Sequence, residues 1–434
     1  MLISSSIGII ADDLTGANDT ALQFHLRGCN TQIILDYEAV PANISHTQAW
    51  AVSTESRNCD AETAKSKVRI ATKNLIENFN VEHIYNKIDS TFRGNIAPET
   101  LVMLEVLGWD AAVIIPAYPN EGRVTIGGYQ LLKGIPIERT ELARDPHSPI
   151  YESYIPSILK KQLDETQHNL VATIELNTVM KGAGPILVKL NELIKAGKKL
   201  IVVDAVSTVD IEQAVLATEK CSFRILPCGS AGAAQALGNV WLPEMKNQHI
   251  SKTIPQLPKL IISGSATDLT AVQLKKLADD DDIENTYFIE IKLDDLLSND
   301  NRDIAERATR NLSKENIVVI HSSNLIENKE DLHHILFEHE LTKTKLATMI
   351  GDYLANLTQR ILSERDVILI TIGGETSYKC CRAINSESIQ LIDAVAPAIP
   401  LCIDHKAQWI VTKSGNLGTP NTIIDVLKYF EQHE

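Results

Sequence analysis

The 434-residue sequence has no G-x-x-x-x-G-K-[ST] stretch, no G-x-G-x-x-G with a downstream acid, no G-x-S-x-G and no H-E-x-x-H. P-loop, dinucleotide, hydrolase-elbow and zincin chemistries depend on those spacings and find no support here. Its seven cysteines (Cys29, Cys59, Cys221, Cys228, Cys380, Cys381 and Cys402) are odd in number and form no C-x-x-C pair. That argues against a disulfide framework or a zinc site and for small core hydrophobes. Basic charge is also scarce: 41 Lys and Arg stand against 56 Asp and Glu, a net charge of -15, with only 5% aromatic residues. Such a balance disfavours nucleic acid or an anionic membrane surface as partner. No apolar run reaches the length of a membrane span, and the start MLISSSIGIIADD lacks the basic region and cleavage pattern of a signal peptide. The expectation is a cytoplasmic protein.

What is present is an ordinary globular composition, 44% hydrophobic and 22% charged, over a length that supports two domains with full cores. Strand-like and helix-like segments alternate. Gln32 to Asp36, Trp50 to Ser53, His83 to Ile88, Ala111 to Pro116, Lys199 to Asp204 and Phe223 to Leu226 read as strands. Ala61 to Glu77, Ile186 to Ala196 and Ile211 to Glu219 read as helices. A proline-bearing polar connection, Val240 to Lys259, interrupts the pattern, which restarts at Leu260 to Ser263 and continues through Val367 to Ile372 and Ile410 to Thr412. Alternation of this kind predicts α/β architecture: two domains, 1–245 and 246–434, each a largely parallel sheet flanked by helices. The run Asp279 to Asp282 reads as a solvated helix end, and His333, His334 and His339 as a solvated acidic helix.

The chemistry gathers where strands end. Ile9-Ile10-Ala11-Asp12-Asp13-Leu14-Thr15-Gly16-Ala17-Asn18-Asp19 runs from a buried strand through an acidic turn into a helix. That edge of an open sheet is where ligands bind, although turn and cap chemistry alone also accounts for such residues. Three further strand ends carry charge: Arg57, the stretch Lys87-Ile88-Asp89-Ser90-Thr91-Phe92-Arg93, and Pro116 to Arg123. Lined up, they offer cations for a carboxylate and aspartates for hydroxyls, which suits a small polyhydroxy acid. A surface ion-pair network is the alternative for any one of them. In the second half, Ser263-Gly264-Ser265, Ile372-Gly373-Gly374-Glu375-Thr376 and Lys413-Ser414-Gly415-Asn416-Leu417-Gly418 are Gly/Ser turns after strands, suited to phosphate if more than tight turns. Cys228 to Ala234, rich in small residues, reads equally as a close helix packing.

In that order these motifs resemble the four-carbon acid sugar kinases, and the likeness spans nearly the whole chain. The resemblance implies ATP-dependent phosphorylation of a tetronate at its 4-hydroxyl, with the active site in the cleft between an N-terminal substrate domain and a C-terminal nucleotide domain. Small-molecule acid, ATP and Mg2+ are the implied partners. Substrate residues would be Asp12, Arg57, Lys87, Ile88, Asp89, Ser90 and Arg93, with Asp12 or Asp89 orienting or deprotonating the hydroxyl. ATP residues would be Ser265, Gly373, Gly374, Glu375, Thr376 and a glycine of the last motif, Gly415 or Gly418; the motifs assign no metal ligand. Asn18 is similar to the D-threonate and D-erythronate branch rather than the 3-oxo-tetronate branch, and D-threonate is the first expectation. The rival classes are a non-catalytic sensor of a sugar acid and a nucleotide, and a nicotinamide-dependent dehydrogenase disfavoured by the missing fingerprint. The acidic surface leaves a homo-oligomer open.

Overall fold

Strands that are apolar at every position need cover on both faces of their sheet. The computed structural model, which describes residues 6–41, 46–144, 148–242, 253–313, 316–323 and 336–433, meets that need in two units, Met1–Gln248 and His249–Glu434. In the first unit eight strands pair in parallel in the order Thr31–Ile34, Ala49–Ser53, Ile7–Ala11, His83–Lys87, Ile225–Gly229, Ala111–Ile115, Leu200–Val203, Val171–Ile174. Alternate residues such as Ile10, Val52, Ile114 and Val202 enter one core with Val68, Leu75 and Met103 of the covering helices.

In the second unit five parallel strands, Thr286–Glu290, Ile317–His321, Lys259–Ser263, Ile368–Ile372 and Trp409–Lys413, are extended by Ile399–Asp404 and Ser388–Ala396, both antiparallel. The two-residue period sorts their side chains. Ile261, Val319 and Ile370 pack with Leu427 and Phe430 on one face, whereas Leu260, Val318 and Leu369 pack with Leu354 and Leu357 on the other. The antiparallel pair is the exception in a sheet that is largely parallel, as expected. Only two residues separate its strands, with Ala398 at φ 59°, and a parallel crossover needs a far longer connection.

A second addition is a small antiparallel sheet, Arg123–Ile126, Tyr129–Leu132 and Ile135–Pro136. Gly127, Gly128 and Gly134, all at positive φ, make its turns. Asp279 closes its helix and the acidic residues after it are largely exposed, as expected. Of the Val240 to Lys259 connection, residues 243–252 lie outside the described residues, as do His333 and His334; His339 is exposed in a turn.

Candidate active site

Pairing register brings the strand ends of the first unit to one level. Ala11 lies opposite both Ser53 and Lys87, and Gly229 opposite both Lys87 and Ile115. Strand Ile7–Ala11 is also where the winding reverses: the next two strands in sequence lie to one side of it and His83–Lys87 to the other. A crevice opens at such a reversal, and the residues following these strands converge on it.

Asp12, 4% exposed, receives the Arg57 guanidinium on both carboxylate oxygens, Nε to Oδ2 at 2.7 Å and Nη2 to Oδ1 at 2.9 Å. The third guanidinium arm reaches Asp13 Oδ2 at 2.6 Å. Asp13 is at the same time the cap of helix Leu14–His25, its Oδ1 accepting from the Gly16 amide at 2.8 Å. The turn-and-cap reading of this cluster therefore holds for Asp13. Burial pushes the Asp12 carboxyl up against the pull of Arg57, and the two aspartates hold Arg57 well above its ordinary value despite burial.

Lys87, 6% exposed, donates to the Ile88 carbonyl at 2.8 Å. A Cβ on Gly16 would fall 2.9 Å from the Lys87 ammonium, so the glycine is what lets the helix start approach it. Ile88 sends its side chain into the core and offers the site only backbone. Asp89 Oδ2 accepts from Thr91 Oγ1 at 2.5 Å and Arg93 Nε at 2.6 Å. Burial alone would raise its pKa, but the guanidiniums of Arg93 and Arg57 hold it well below the usual range. Ser90 is partly exposed and its carbonyl accepts from Gln130 Nε2 at 2.7 Å.

Three acids near these residues were not singled out from the sequence. Glu55, at φ 46°, accepts from Ser53 Oγ at 2.6 Å and the Leu14 amide at 2.8 Å, and burial pushes its carboxyl up to about 8. Glu99, 3% exposed on helix Ile96–Leu107, is likewise pushed up to about 8 by burial and by the nearby Asp12 charge. Asp19, half-buried on the first helix, is raised to about 6 by burial. Only Asp19 had a signal in the sequence: it stands three residues after Gly16, on the same helical face.

In the second unit the three Gly/Ser turns also meet. A Cβ on Gly415 would lie 2.2 Å from Ser265 Oγ, and one on Gly264 would lie 2.4 Å from Thr376 Oγ1. The Gly415 carbonyl accepts from Thr267 Oγ1 and Thr270 Oγ1, each at 3.0 Å, at the start of helix Asp268–Ala278. Gly373, at φ 112°, turns the chain into helix Gly374–Ala383, leaving first-turn amides without a side-chain cap at Gly373, and Thr376 is buried there. Glu375 pairs with Lys379 at 3.0 Å. Gly418 belongs elsewhere: its Cβ would strike Thr422 Oγ1, the hydroxyl that accepts from the Thr419 amide at 2.7 Å where helix Thr422–His433 begins. Among the described residues no group of three or more His, Cys, Asp or Glu is arranged to hold a metal ion.

Lys413 stands among these turns as a cation without a carboxylate among the described residues. It is 3% exposed, donates to the Ser414 carbonyl at 2.8 Å, and burial lowers it to about 8. Unpaired buried charge is costly, so replacing Lys413 by methionine is expected to stabilise the free protein by roughly 1–3 kcal/mol at neutral pH. Thermal melts check this; an unchanged or lower melting temperature shows the ammonium to be compensated.

The sequence pattern described as the sugar-binding N-terminal domain matches residues 7–237, and that of the nucleotide-binding C-terminal domain matches residues 260–423. A Heliobacterium modesticaldum protein named D-erythronate kinase is 30% identical over 98% of this chain and 97% of its own length. A Salmonella typhimurium protein named D-threonate kinase is 28% identical, covering 98% of each. A solved structure from Salmonella typhimurium, of a protein named as a tRNA synthase, superposes with a TM-score of 0.80 at 23% identity over 97% of this chain and 98% of that one, a likeness of fold.

Proposed function

Because the chain belongs to the four-carbon acid sugar kinase family, we propose that it transfers the γ-phosphoryl group of ATP to the 4-hydroxyl of a tetronate. The observation that carries this reading is the convergence of Asp12, Arg57, Lys87 and Asp89 at one sheet edge. A tetronate presents one carboxylate and three hydroxyls. Arg57 and Lys87 supply the cations for the first, and Asp12, Asp89 and Ser90 the acceptors for the others, with Arg93 keeping Asp89 ionised. Ser265, the helix start at Gly373 to Thr376 and Gly415 supply hydroxyls and amides for the nucleotide phosphates. Of the two glycines of the last motif we assign this role to Gly415, since Gly418 is engaged with the final helix.

Mg2+ would arrive with ATP rather than as a resident ion, because it keeps several waters and needs few protein oxygens, and among the described residues no group of three or more His, Cys, Asp or Glu is arranged to hold it. When bound it would neutralise charge on the phosphates. The protein's own part is positioning and charge stabilisation, which dominate phosphoryl transfer.

D-Threonate is the first choice of substrate, on the buried Asn18 beside the acidic turn; D-erythronate follows, supported by the 30% identical relative, and then 3-oxo-tetronate. A coupled ADP-release assay with Mg-ATP and D-threonate, D-erythronate, their L-isomers and a 3-oxo-tetronate tests the reading. Turnover is expected with one of the D-acids at least tenfold above the rest. Saturable binding of acid and ATP without any phosphorylated product would instead establish a sensor.

A further inference from the structure

The carboxylates nearest the crevice are mostly committed. Asp12 gives both oxygens to Arg57. Asp13 is divided between Arg57 and the helix cap. Asp89 is held ionised by guanidinium groups, which makes it a poor proton acceptor. Glu55 is tied to Ser53 and Leu14, and Glu99 is only 3% exposed.

Asp19 differs from all of them. It is only half-buried, and its side chain meets Gln23 Nε2 at a long 3.4 Å, one helical turn on. The charges that face it come from other elements: Lys87 at a strand end, and Arg123 and Glu121 after the strand Ala111–Ile115. The hydroxyls of Tyr85 and Tyr118 are raised by burial and, to a lesser degree, by the charge of Asp19. The charges of two cations act on this carboxylate, and among the described residues neither forms an ion pair with it. Such a group can hold a proton briefly and release it.

We propose that Asp19 is the catalytic base that takes the proton of the substrate's reacting hydroxyl; the inference rests on the kinase reading above. As the hydroxyl oxygen forms its bond to the γ-phosphorus, the bond from that phosphorus to the β–γ bridging oxygen breaks. The electron pair leaves with ADP and the hydroxyl proton passes to the Asp19 carboxylate. Lys87 and Arg123 favour the ionised Asp19 before the transfer, and burial and Glu121 favour its protonation afterwards. A base titrating near 6 is matched to work close to neutral pH.

The test is steady-state kinetics of wild type, Asp19→Asn and Asp19→Glu on the acid the wild type turns over, with ATP binding measured by calorimetry. Asp19→Asn is expected to lower kcat at least 100-fold, the scale of general-base catalysis, with KM for both substrates within threefold and ATP binding intact. The wild-type kcat profile should fall below about pH 6, and this acid limb should vanish in Asp19→Asn and move in Asp19→Glu. A kcat within fivefold of wild type, or an acid limb that persists unmoved in either variant, overturns the proposal. Should Asp19→Asn fail to bind ATP, the limb in Asp19→Glu decides alone. A wild type that phosphorylates no tetronate removes the kinase reading and this inference with it, whereas an active wild type beside an undiminished Asp19→Asn removes only the inference.

Discussion

Replacing Arg57 by methionine is expected to abolish measurable turnover, a loss of about 1,000-fold or more in kcat/KM, and to destabilise the protein by about 3–5 kcal/mol. The size follows from what is left behind. Arg57 makes three charge-assisted hydrogen bonds of 2.6–2.9 Å to Asp12 and Asp13, whose side chains are 3% and 15% exposed. Removing the cation strands two carboxylates side by side with little access to water. They respond by taking up protons, which changes the group that would meet the substrate hydroxyls. The double variant Arg57→Met with Asp12→Asn is expected to recover most of the lost stability and none of the activity, because it removes the stranded charge without restoring the cation for the carboxylate. Urea denaturation of the four members of the cycle gives the coupling energy. A single variant within 1 kcal/mol of wild type contradicts the account, since a well-solvated surface pair is worth no more than that.

Arg57 also shows how far sequence reasoning reaches. Its position after a strand, and the chemistry of a guanidinium beside aspartates, were both readable. That its partners in the folded chain are Asp12 and Asp13 was not, because the pairing spans 45 and 44 residues of sequence. The α/β alternation and the parallel strands were legible because their apolar runs are bounded by turn residues and separated by helix-length segments. The small sheet after Ala111–Ile115 escaped notice since its strands are too short, and its glycines too frequent, to look like anything but a loop. Glu99 is the clearest failure. On a helix with sequence IAPETLVMLEVL it has the look of a solvated acid, and only the tertiary packing of that helix buries it. Gly415 and Gly418 were indistinguishable as letters; Ser265 lies against one and Thr422 against the other.

Glu99 and Glu55 lead to the second large effect: the protein is expected to lose stability as pH rises from 6 to 8. A carboxyl near 8 in the folded chain and near 4.5 in the unfolded chain binds its proton more tightly when folded. Its contribution is fully present below the unfolded value and lost as pH climbs through the folded one. For Glu99 the full interval corresponds to about 5 kcal/mol, and Glu55, less completely enclosed, adds a smaller amount of the same sign. Lys413 has the opposite slope in a higher window. Burial holds it near 8 against an ordinary 10.5, so the unfolded chain binds more protons between those values and stability rises with pH there. That gain is opposed above about pH 9 by the buried thiols of Cys29, Cys228, Cys380, Cys381 and Cys402, all pushed up by burial, so no net recovery is expected there. His83, lowered by burial, opposes the descending slope only below about pH 6.5, and Asp89, lowered by its guanidinium partners, acts only in acid. Thermal melts from pH 5.5 to 10 are the measurement. Glu99→Gln reproduces the neutral acid without its proton equilibrium, so in this variant, and further in Glu55→Gln with Glu99→Gln, the descent between pH 6 and 8 should flatten. A descent that survives the double substitution unchanged would place the titrating groups elsewhere, and a wild type whose melting temperature is level across that window would mean that both glutamates ionise freely in the folded chain.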